Sequence, residues 1–402
     1  MKLEKLHVKN FKSLQSTEIA SFKQKNLFYG YNNSGKSNIF KFLNILFKRK
    51  SIKNPVEVEG KSEFTMTNKG FWDGDIYDEP FLFCNNDRNK PIEFQVSVIL
   101  KNDEIPDSEF LKESSMLGES ETSLELNGQI VSKDVSVSSM LLTEAKINNA
   151  TFYTNIDSVE SFFPDSKDKN RFDRKMGESI LSILNDSILY VSTDRNFTKE
   201  LFSSFEGNMS SKNFKNWLFD LNIDSDKNED FVSLIEFLQK FDFTDESKKS
   251  LDFNLKSFPF GKATKIGFTK FENEVEIMLE NEAGRFPLAN YGTGIQQFFY
   301  LLVKIFWSKS KIVIIEELEL NLSPLYQKEL LRFLTGLIEN DLFHQLLFSS
   351  HSPYFTKEHN FMVDVIHHVE ILEKGTEVNS YEDPKAIYDP EIDHSLISLL
   401  YS

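Results

Sequence analysis

Apolar residues follow strand and helix spacing most clearly towards the two ends of the chain. Residues 3–11 carry apolar side chains in a half-alternating pattern, which predicts a strand, and a second short strand is expected over 17–20. The largely apolar run Asn26–Tyr29 ends directly at Gly30, as a buried strand that enters a turn does. From Ser37 to Phe47 the apolar positions predict a mostly buried helix.

The last third of the chain shows a similar regularity. A glycine-punctuated turn at Tyr291–Gly294 precedes a helical run, and the apolar residues Ile312–Ile315 predict a buried strand. Pro324 fits the first turn of a further helix, because the N–H that proline lacks has no partner at that position. The other strands predicted here lie near residues 266–271, 275–279 and 346–348.

The middle of the chain contains fewer periodic segments. A strand is expected over residues 94–100, whereas residues 201–252 carry apolar stripes at helical spacing. The simplest interpretation is an α/β fold into which a largely helical lobe is inserted. We expect the first half of the core in residues 1–100, the lobe in 101–261 with a core strand near 187–195, and the second half of the core in 262–402.

Composition and charge narrow the class of protein. The 402 residues are 40% hydrophobic and 27% charged, which is ordinary for a globular protein and argues against disorder. The formal net charge of −16 repels nucleic acid, so contact with DNA or RNA would need a local basic patch. Cys84 is the single cysteine, and we find no run of apolar residues long enough for a membrane helix. A cytoplasmic location is therefore expected, with no membrane partner.

Residues 30–37 match the pattern G-x-x-x-x-G-K-S. The glycines let the backbone curl so that successive N–H groups point at phosphate oxygens, while Lys36 reaches the outer phosphates and the Ser37 hydroxyl can ligate magnesium. A chance glycine turn is the alternative, but the strand before it and the helix after it both fit a phosphate loop. The predicted nucleotide-binding residues of this segment are Gly30, Asn32, Asn33, Ser34, Gly35, Lys36, Ser37 and Asn38.

Glu316 and Glu317 follow the strand Ile312–Ile315, at the end of a strand where open α/β sheets assemble ligand sites. A magnesium–nucleotide site needs one acidic group near the metal and another that orients or deprotonates the attacking water. Adjacent side chains diverge at an extended strand end, so each carboxylate can serve a separate role. A strand that simply ends in solvated acids is the alternative.

Three histidines call for a choice between a functional and a structural role. His351 follows the apolar strand at 346–348, where a histidine can contact a γ-phosphate or its water; a capping or packed histidine is the alternative. His367 and His368 have no cysteine or carboxylate at metal-ligand spacing, so we interpret this pair as structural.

In this order, the motifs resemble those of the ABC-type ATPases of the RecF, SMC and overcoming-lysogenization-defect (OLD) group. The similar segments are Leu3–Leu14 (the first strand), Ile188–Arg195 (a strand with an arginine), Tyr291–Gln297 (a degenerate signature), Glu316–Pro324 (Walker B and D-loop) and Ser349–Phe355 (the switch segment). Leu318 and Ser323 depart from the proline and histidine that are usual in the family's D-loop.

This resemblance implies an ABC-type ATPase head with a mixed sheet, which binds ATP and Mg²⁺. It implies Ser37 and Glu316 as metal ligands, and it implies that Glu317 polarises the water. The catalytic set is Glu316, Glu317 and His351. Two subunits would sandwich ATP, so a homodimer or higher homo-oligomer is expected. The residues that one subunit would bring to the γ-phosphate bound by the other are Gly292, Thr293, Gly294 and Gln296.

Three hypotheses about function follow from the resemblance. The first is a stand-alone ATPase of a bacterial anti-phage system that controls a separate effector subunit. We expect that effector to be a nuclease on a separate chain. The residues after His351 are too few for the TOPRIM nuclease domain of full-length OLD proteins. The second is a RecF-like DNA-repair ATPase, against which the acidic charge balance counts. The third is a scaffold that ATP locks together with negligible turnover.

Overall fold

In a computed structural model, the described residues fall into two compact units. The first contains Met1–Tyr190, Ser310–Leu318 and Leu337–Ser402, and the second contains Val191–Lys309 and Glu319–Gly336. The residues that the structure describes are 1–47, 51–52, 56–58, 61–63, 65–67, 82–105, 120–132, 138–154, 187–193, 265–271, 274–281, 284–308, 310–322, 324–352, 355 and 363–382.

Strands dominate the described part of the chain. The strands are β1 (Lys2–Phe11), β2 (Leu14–Ile19), β3 (Lys25–Tyr29), β4 (Ser51–Ile52), β5 (Val56–Val58), β6 (Lys61–Glu63), β7 (Thr65–Thr67), β8 (Ile92–Lys101), β9 (Glu121–Ser132), β10 (Ser138–Ile147), β11 (Ala150–Thr154), β12 (Ile188–Val191), β13 (Lys265–Phe271), β14 (Glu274–Asn281), β15 (Gly284–Pro287), β16 (Ile312–Ile315), β17 (Gln345–Ser350), β18 (Val365–Leu372) and β19 (Gly375–Tyr381). The described helices are α1 (Lys36–Phe47), α2 (Thr293–Ser308) and α3 (Pro324–Glu339), with short 3₁₀ turns at Cys84–Asn86, Asn102–Glu104 and Leu288–Asn290.

An antiparallel sheet of eight strands forms one layer of the first unit. Its strand order is β2-β1-β8-β9-β10-β7-β4, and β11 pairs with β10. The central position of β1 is visible in its register, since Val8 lies opposite Thr17 of β2 and Phe94 of β8. Every residue of β1 with a buried side chain is apolar, so one face of this strand is directed into the core.

A mixed sheet of six strands forms the second layer, in the order β12-β16-β17-β3-β18-β19. The strands β16, β17, β3 and β18 run parallel, and β19 returns antiparallel to β18. Because parallel strands share a direction, the carboxyl ends of β16, β17 and β3 meet at one edge of the sheet. Three segments that the sequence analysis selected begin at these ends: the phosphate loop after β3, Glu316–Glu317 after β16 and the segment with His351 after β17.

Helix α1 lies between the two sheets and packs against both. The ring of Phe42 meets those of Phe11 and Phe94, on the antiparallel sheet, at 5.1 and 6.0 Å between centroids. On the mixed sheet, Phe40 meets Phe28 at 4.9 Å. Each fully buried phenylalanine contributes about 1.5–3 kcal/mol to the stability of the fold relative to an exposed one. This packing holds α1 in place and so fixes the direction of its first turn.

The second unit contains the antiparallel sheet β13-β14-β15 and helix α2. Its strands agree with the alternating segments predicted near residues 266–271 and 275–279. Within this unit Phe298 of α2 packs edge-on against Phe333 of α3, at 5.2 Å between ring centroids. The Lys304 ammonium lies 4.5 Å from the centre of the Tyr300 ring, a cation–π contact along α2.

The structure has the α/β class and the mixed sheet that the sequence predicted. The described part of the predicted lobe, 101–261, consists of the strands β9 to β12 and one 3₁₀ turn, and β9 continues the sheet that β1 and β8 begin. The segment 201–252, predicted as helical, lies outside the described residues. Among the described helices, none is both long and apolar enough to span a bilayer.

Candidate nucleotide-binding site

The loop that joins β3 to α1 curls tightly because three of its residues have positive φ. Gly30 has φ +156°, Asn33 +66° and Gly35 +107°. Asparagine tolerates the left-handed region, whereas the Gly35 position has no room for a side chain. A Cβ on Gly35 would lie 2.2 Å from the Thr376 hydroxyl oxygen, so this glycine lets the loop pack directly against β19.

Lys36, the first residue of α1, turns its ammonium back into the loop. Its Nζ donates to the carbonyl oxygens of Gly30 and Tyr31, both at 2.8 Å, and lies 3.4 Å from the Ser34 hydroxyl. The side chain is almost completely buried. The positive charge is therefore held where the backbone of the loop turns, and a phosphate group would take over the hydrogen bonds that these oxygens now accept.

The chain turns sharply at Glu317, directly after β16. Glu317 has φ +45°, which is uncommon for a residue with a side chain. Its N–H donates to the hydroxyl of Ser349 at 2.9 Å, and the next N–H, of Leu318, donates to the Ser349 carbonyl at 3.0 Å. Ser349 thus fixes the turn from the neighbouring strand β17.

Glu316 is buried and lies near a different group, the phenol of Tyr190 at the end of β12. Burial, together with the negative charge of Glu316, raises the pKa of Tyr190, so the phenol stays protonated. The two adjacent glutamates therefore have separate surroundings, in line with the divergence predicted for a strand end. Sequence reasoning did not indicate Tyr190.

A cavity of about 230 Å³ connects these elements within the first unit. It brings together the phosphate loop, the first turn of α1, Glu317 and His351. Gly30 and Glu316 are not among the residues that line it. The lining residues are Asn32, Asn33, Ser34, Gly35, Lys36, Ser37, Asn38, Glu317, Ser349 and His351.

The segment after His351 folds back onto β17. The Ser352 N–H donates to the Ser350 hydroxyl at 2.9 Å, and the ring of Phe355 packs edge-on against Phe348 at 5.5 Å. These contacts fix the chain on both sides of His351, which lines the cavity. Ser349 is the lining residue that the sequence did not predict as a site residue, although it begins the predicted switch segment.

The predicted signature residues begin helix α2 in the second unit. Thr293 is exposed, and the Gln296 side-chain amide donates to the carbonyl oxygen of Tyr291 at 2.8 Å. A Cβ on Gly294 would lie 3.1 Å from the Asn321 carbonyl oxygen, so this turn packs closely on the segment that follows Walker B. Neither these residues nor Gly292 are among the residues that line the cavity.

Comparison with known proteins identifies the class of site. A protein-family model for an AAA ATPase domain matches residues 1–356, which include the phosphate loop, Glu317 and His351. The chain belongs to this family. The predicted enzyme class, an ATP hydrolase, is thereby confirmed. A curated relative of this ATPase, the ATP/GTP phosphatase of Helicobacter pylori, is 22% identical over 369 residues, which are 88% of this chain and 86% of the relative.

The fold of this ATPase also occurs among solved structures. An SMC head bound to the C-winged helix domain of ScpA matches it with a TM-score of 0.51 and 14% identity, over 96% of this chain and 100% of the other. At this identity the similarity concerns the fold alone. The predicted fold, an ABC-type P-loop ATPase head, is confirmed.

Proposed function

We propose that this ATPase is Mg²⁺-dependent and that the cavity between the phosphate loop, Glu317 and His351 is where ATP is hydrolysed. The proposal rests on one observation above all. Segments far apart in the sequence, around Lys36, Glu317 and His351, line the same cavity. A cation that binds phosphate, a carboxylate that can orient or deprotonate water and a further polar group near the γ-phosphate are the kinds of group that phosphoryl transfer to water uses.

The oxygen donors in and beside the cavity fit a magnesium ion. The Ser37 hydroxyl and the Glu317 carboxylate line the cavity, and Glu316 precedes Glu317 in the chain. Among the described residues there is no cluster of three or more His, Cys, Asp or Glu that could hold a metal by itself. Mg²⁺ fits such a site, because it binds through few protein ligands together with the phosphates of its nucleotide. When bound, it would neutralise charge on the transferred phosphoryl group.

The residues of this chain then have distinct roles in the proposed reaction. The N–H groups of the loop and the Lys36 ammonium bind the phosphates, while Ser37 and Glu316 hold the metal. The Glu317 carboxylate orients the attacking water and accepts its proton, and His351 donates a hydrogen bond to the γ-phosphate. Such positioned groups stabilise charge that develops on the phosphoryl oxygens without having to reorganise.

We further propose that two copies of the chain complete each site. Of the described residues, all those that line the cavity belong to the first unit, whereas Gly292–Gln296 lie in the second. The resemblance to ABC-type ATPases implies that a partner subunit would supply Thr293 and Gly294 to the γ-phosphate. Gel filtration with light scattering tests this idea, since ATP should raise the mass of Glu317→Gln, which binds ATP without consuming it.

The proposed biological role is that of an anti-phage ATPase that controls a separate effector protein, which we expect to be a nuclease. The resemblance to the OLD proteins supports this role, and the net charge of −16 disfavours a role on DNA alone. Salt-dependent binding of DNA by the purified ATPase would favour the RecF-like alternative instead. An ATP-dependent increase in mass with no phosphate release would favour the scaffold alternative.

Phosphate release by purified variants tests the catalytic assignment. Glu317→Gln should lower kcat about 10²- to 10⁴-fold, the range lost with a general base. Lys36→Ala should lose ATP binding. A matched control is Glu373→Gln, which makes the same chemical change on an exposed side chain in the turn between β18 and β19. Wild-type turnover in both Lys36→Ala and Glu317→Gln would refute the assignment.

A further inference from the structure

The hairpin β18–β19 holds Thr376 in a fixed position beside the phosphate loop. The Thr376 N–H donates to the Ser13 carbonyl at 2.9 Å, and the Thr17 hydroxyl donates to the Thr376 carbonyl at 2.7 Å. Thr376 is 1% exposed. Both peptide groups of this residue are thus tied to the first hairpin of the chain, β1–β2, and its side chain has little freedom to move.

The side chain of Thr376 is part of a chain of hydrogen bonds. Its hydroxyl lies 3.0 Å from the Ser34 carbonyl oxygen and 2.8 Å from the Ser13 hydroxyl. A carbonyl only accepts and a hydroxyl has one proton, so Thr376 donates to Ser34 and accepts from Ser13. The Ser13 oxygen in turn accepts from the Asn38 side-chain amide at 2.9 Å. The donors therefore run in one direction, from Asn38 to Ser34.

This chain of hydrogen bonds begins and ends on the phosphate-binding segment. Ser34 and Asn38 flank Gly35–Ser37, the residues whose N–H groups and side chains face the phosphates in the proposed function. Gly35 also contacts the same two hydroxyls, since a Cβ there would lie 2.2 Å from Thr376 Oγ1 and 2.9 Å from Ser13 Oγ. The segment Gly35–Ser37 is therefore held by hydrogen bonds on both of its sides.

We propose that Thr376, together with Ser13, is a positioning residue that keeps the phosphate loop in the shape that receives the nucleotide. The proposal rests on the proposed function, in that the loop must bind ATP. The bond from Thr376 holds the Ser34 carbonyl towards β19 and away from the cavity. Without that donor, the buried carbonyl loses its partner and can turn towards the phosphates, whose negative charge it would oppose.

Equilibrium binding of a fluorescent ATP analogue in the presence of Mg²⁺, with phosphate release measured in parallel, tests the proposal. Thr376→Val keeps the shape of the side chain and removes the hydroxyl. We expect it to raise Kd and KM about tenfold, the effect of one lost hydrogen bond on a preorganised loop, with a smaller change in kcat. Thr376→Ser should restore most of the affinity, because it keeps the donor.

Thr17→Val is the matched control for loss of stability. It also removes a buried threonine hydroxyl that donates to a backbone carbonyl, here that of Thr376 in the hairpin β18–β19. The Thr17 hydroxyl, however, does not bond to the phosphate loop. Both valine variants should melt at a lower temperature than the wild type, and only Thr376→Val should bind the analogue more weakly. Equal affinity in both variants, or no rescue by Thr376→Ser, would overturn the proposal.

Ser13→Ala provides a second test if Thr376→Val does not fold. It removes the middle of the chain of hydrogen bonds and leaves Thr376 in place, so a smaller loss of affinity in the same direction is expected. Unchanged affinity in Ser13→Ala would then contradict the proposal. Failure of the wild type itself to bind the analogue would instead refute the proposed function.

Discussion

Replacing Gly35 by alanine tests how tightly the phosphate loop is packed against β19. The new Cβ would lie 2.2 Å from Thr376 Oγ1, 2.8 Å from Thr376 Cγ2 and 2.9 Å from Ser13 Oγ. Thr376 cannot easily withdraw, because its N–H, carbonyl and hydroxyl are all held by hydrogen bonds. The backbone of Gly35 has φ +107°, which also disfavours any residue with a Cβ.

The expected loss of stability follows from these two effects. Backbone strain should lower the free energy of unfolding by about 1–2 kcal/mol, and steric overlap by about 1–3 kcal/mol. Together they predict that Gly35→Ala is less stable than the wild type by about 2–5 kcal/mol. For a domain of this size each kcal/mol lowers Tm by about 2–4 °C, which predicts a decrease of roughly 4–20 °C. Affinity for ATP should fall as well, since relieving the overlap moves the loop.

Thermal unfolding followed by fluorescence measures the effect, and Gly336→Ala is the control. Gly336 lies in α3, and a Cβ there would meet nothing within 4 Å. That variant should therefore gain about 0.5–1 kcal/mol, the advantage of alanine over glycine in a helix. If Gly35→Ala melts like the wild type and binds ATP normally, the loop is not confined by Thr376 and this reasoning is wrong.

Two further predictions concern single residues. Because Glu317 has φ +45°, Glu317→Gly should be about 1 kcal/mol more stable than Glu317→Ala, and equal Tm values in the two inactive variants would show that the turn relaxes. Burial lowers the pKa of His367 to about 3, so the unfolded chain, with a pKa near 6.5, binds the proton first as pH falls. The free energy of unfolding should therefore fall as pH is lowered from 6.5 towards 3, and His367 should contribute up to about 1.4 kcal/mol per pH unit to this decrease. Urea unfolding of His367→Gln between pH 6.5 and 4.5 should show a shallower dependence than the wild type, and an identical slope would contradict the assignment.

The elements that the sequence predicted best are short and carry their signals locally. The strand Ile312–Ile315 has the predicted bounds, and α1 begins at Lys36, one residue before the predicted start. Both elements are apolar runs bounded by a turn that the sequence makes visible. A glycine loop precedes α1, and an acidic turn follows β16. Such signals depend only on neighbours in the chain, so a single sequence suffices to find them.

The strands that the sequence did not reveal carry weak local signals. In β9 the buried residues Leu124, Leu126 and Ile130 alternate with polar ones, but the segment lies in a polar region that offers few other signals. In β18 a buried pair of histidines takes the place of apolar residues; His367 packs against Phe28 of the neighbouring strand, with 4.6 Å between ring centroids. Tertiary packing, rather than local propensity, decides such strands.

The same limit applies to the site. Sequence spacing indicated which residues carry chemistry, since a lysine, a serine and two glutamates follow strand ends. It assigned no role to Ser13, Ser349 or Thr376, although the first two lie in segments that resemble the family, because a lone hydroxyl has no characteristic spacing. Their relevance arises only when the sheet order brings β19 beside the phosphate loop and the end of β17 beside that of β16.

The end of β17 places both groups that would act on the water and the γ-phosphate. Ser349 accepts the Glu317 N–H and so stabilises the left-handed turn that separates Glu317 from Glu316. Two residues later, the same strand end presents His351 to the cavity. The relative position of Glu317 and His351 is therefore set by one short segment rather than by two independent loops. A carboxylate and a histidine that are held by the same strand end keep their spacing when the surrounding loops move, which is what a preorganised site requires.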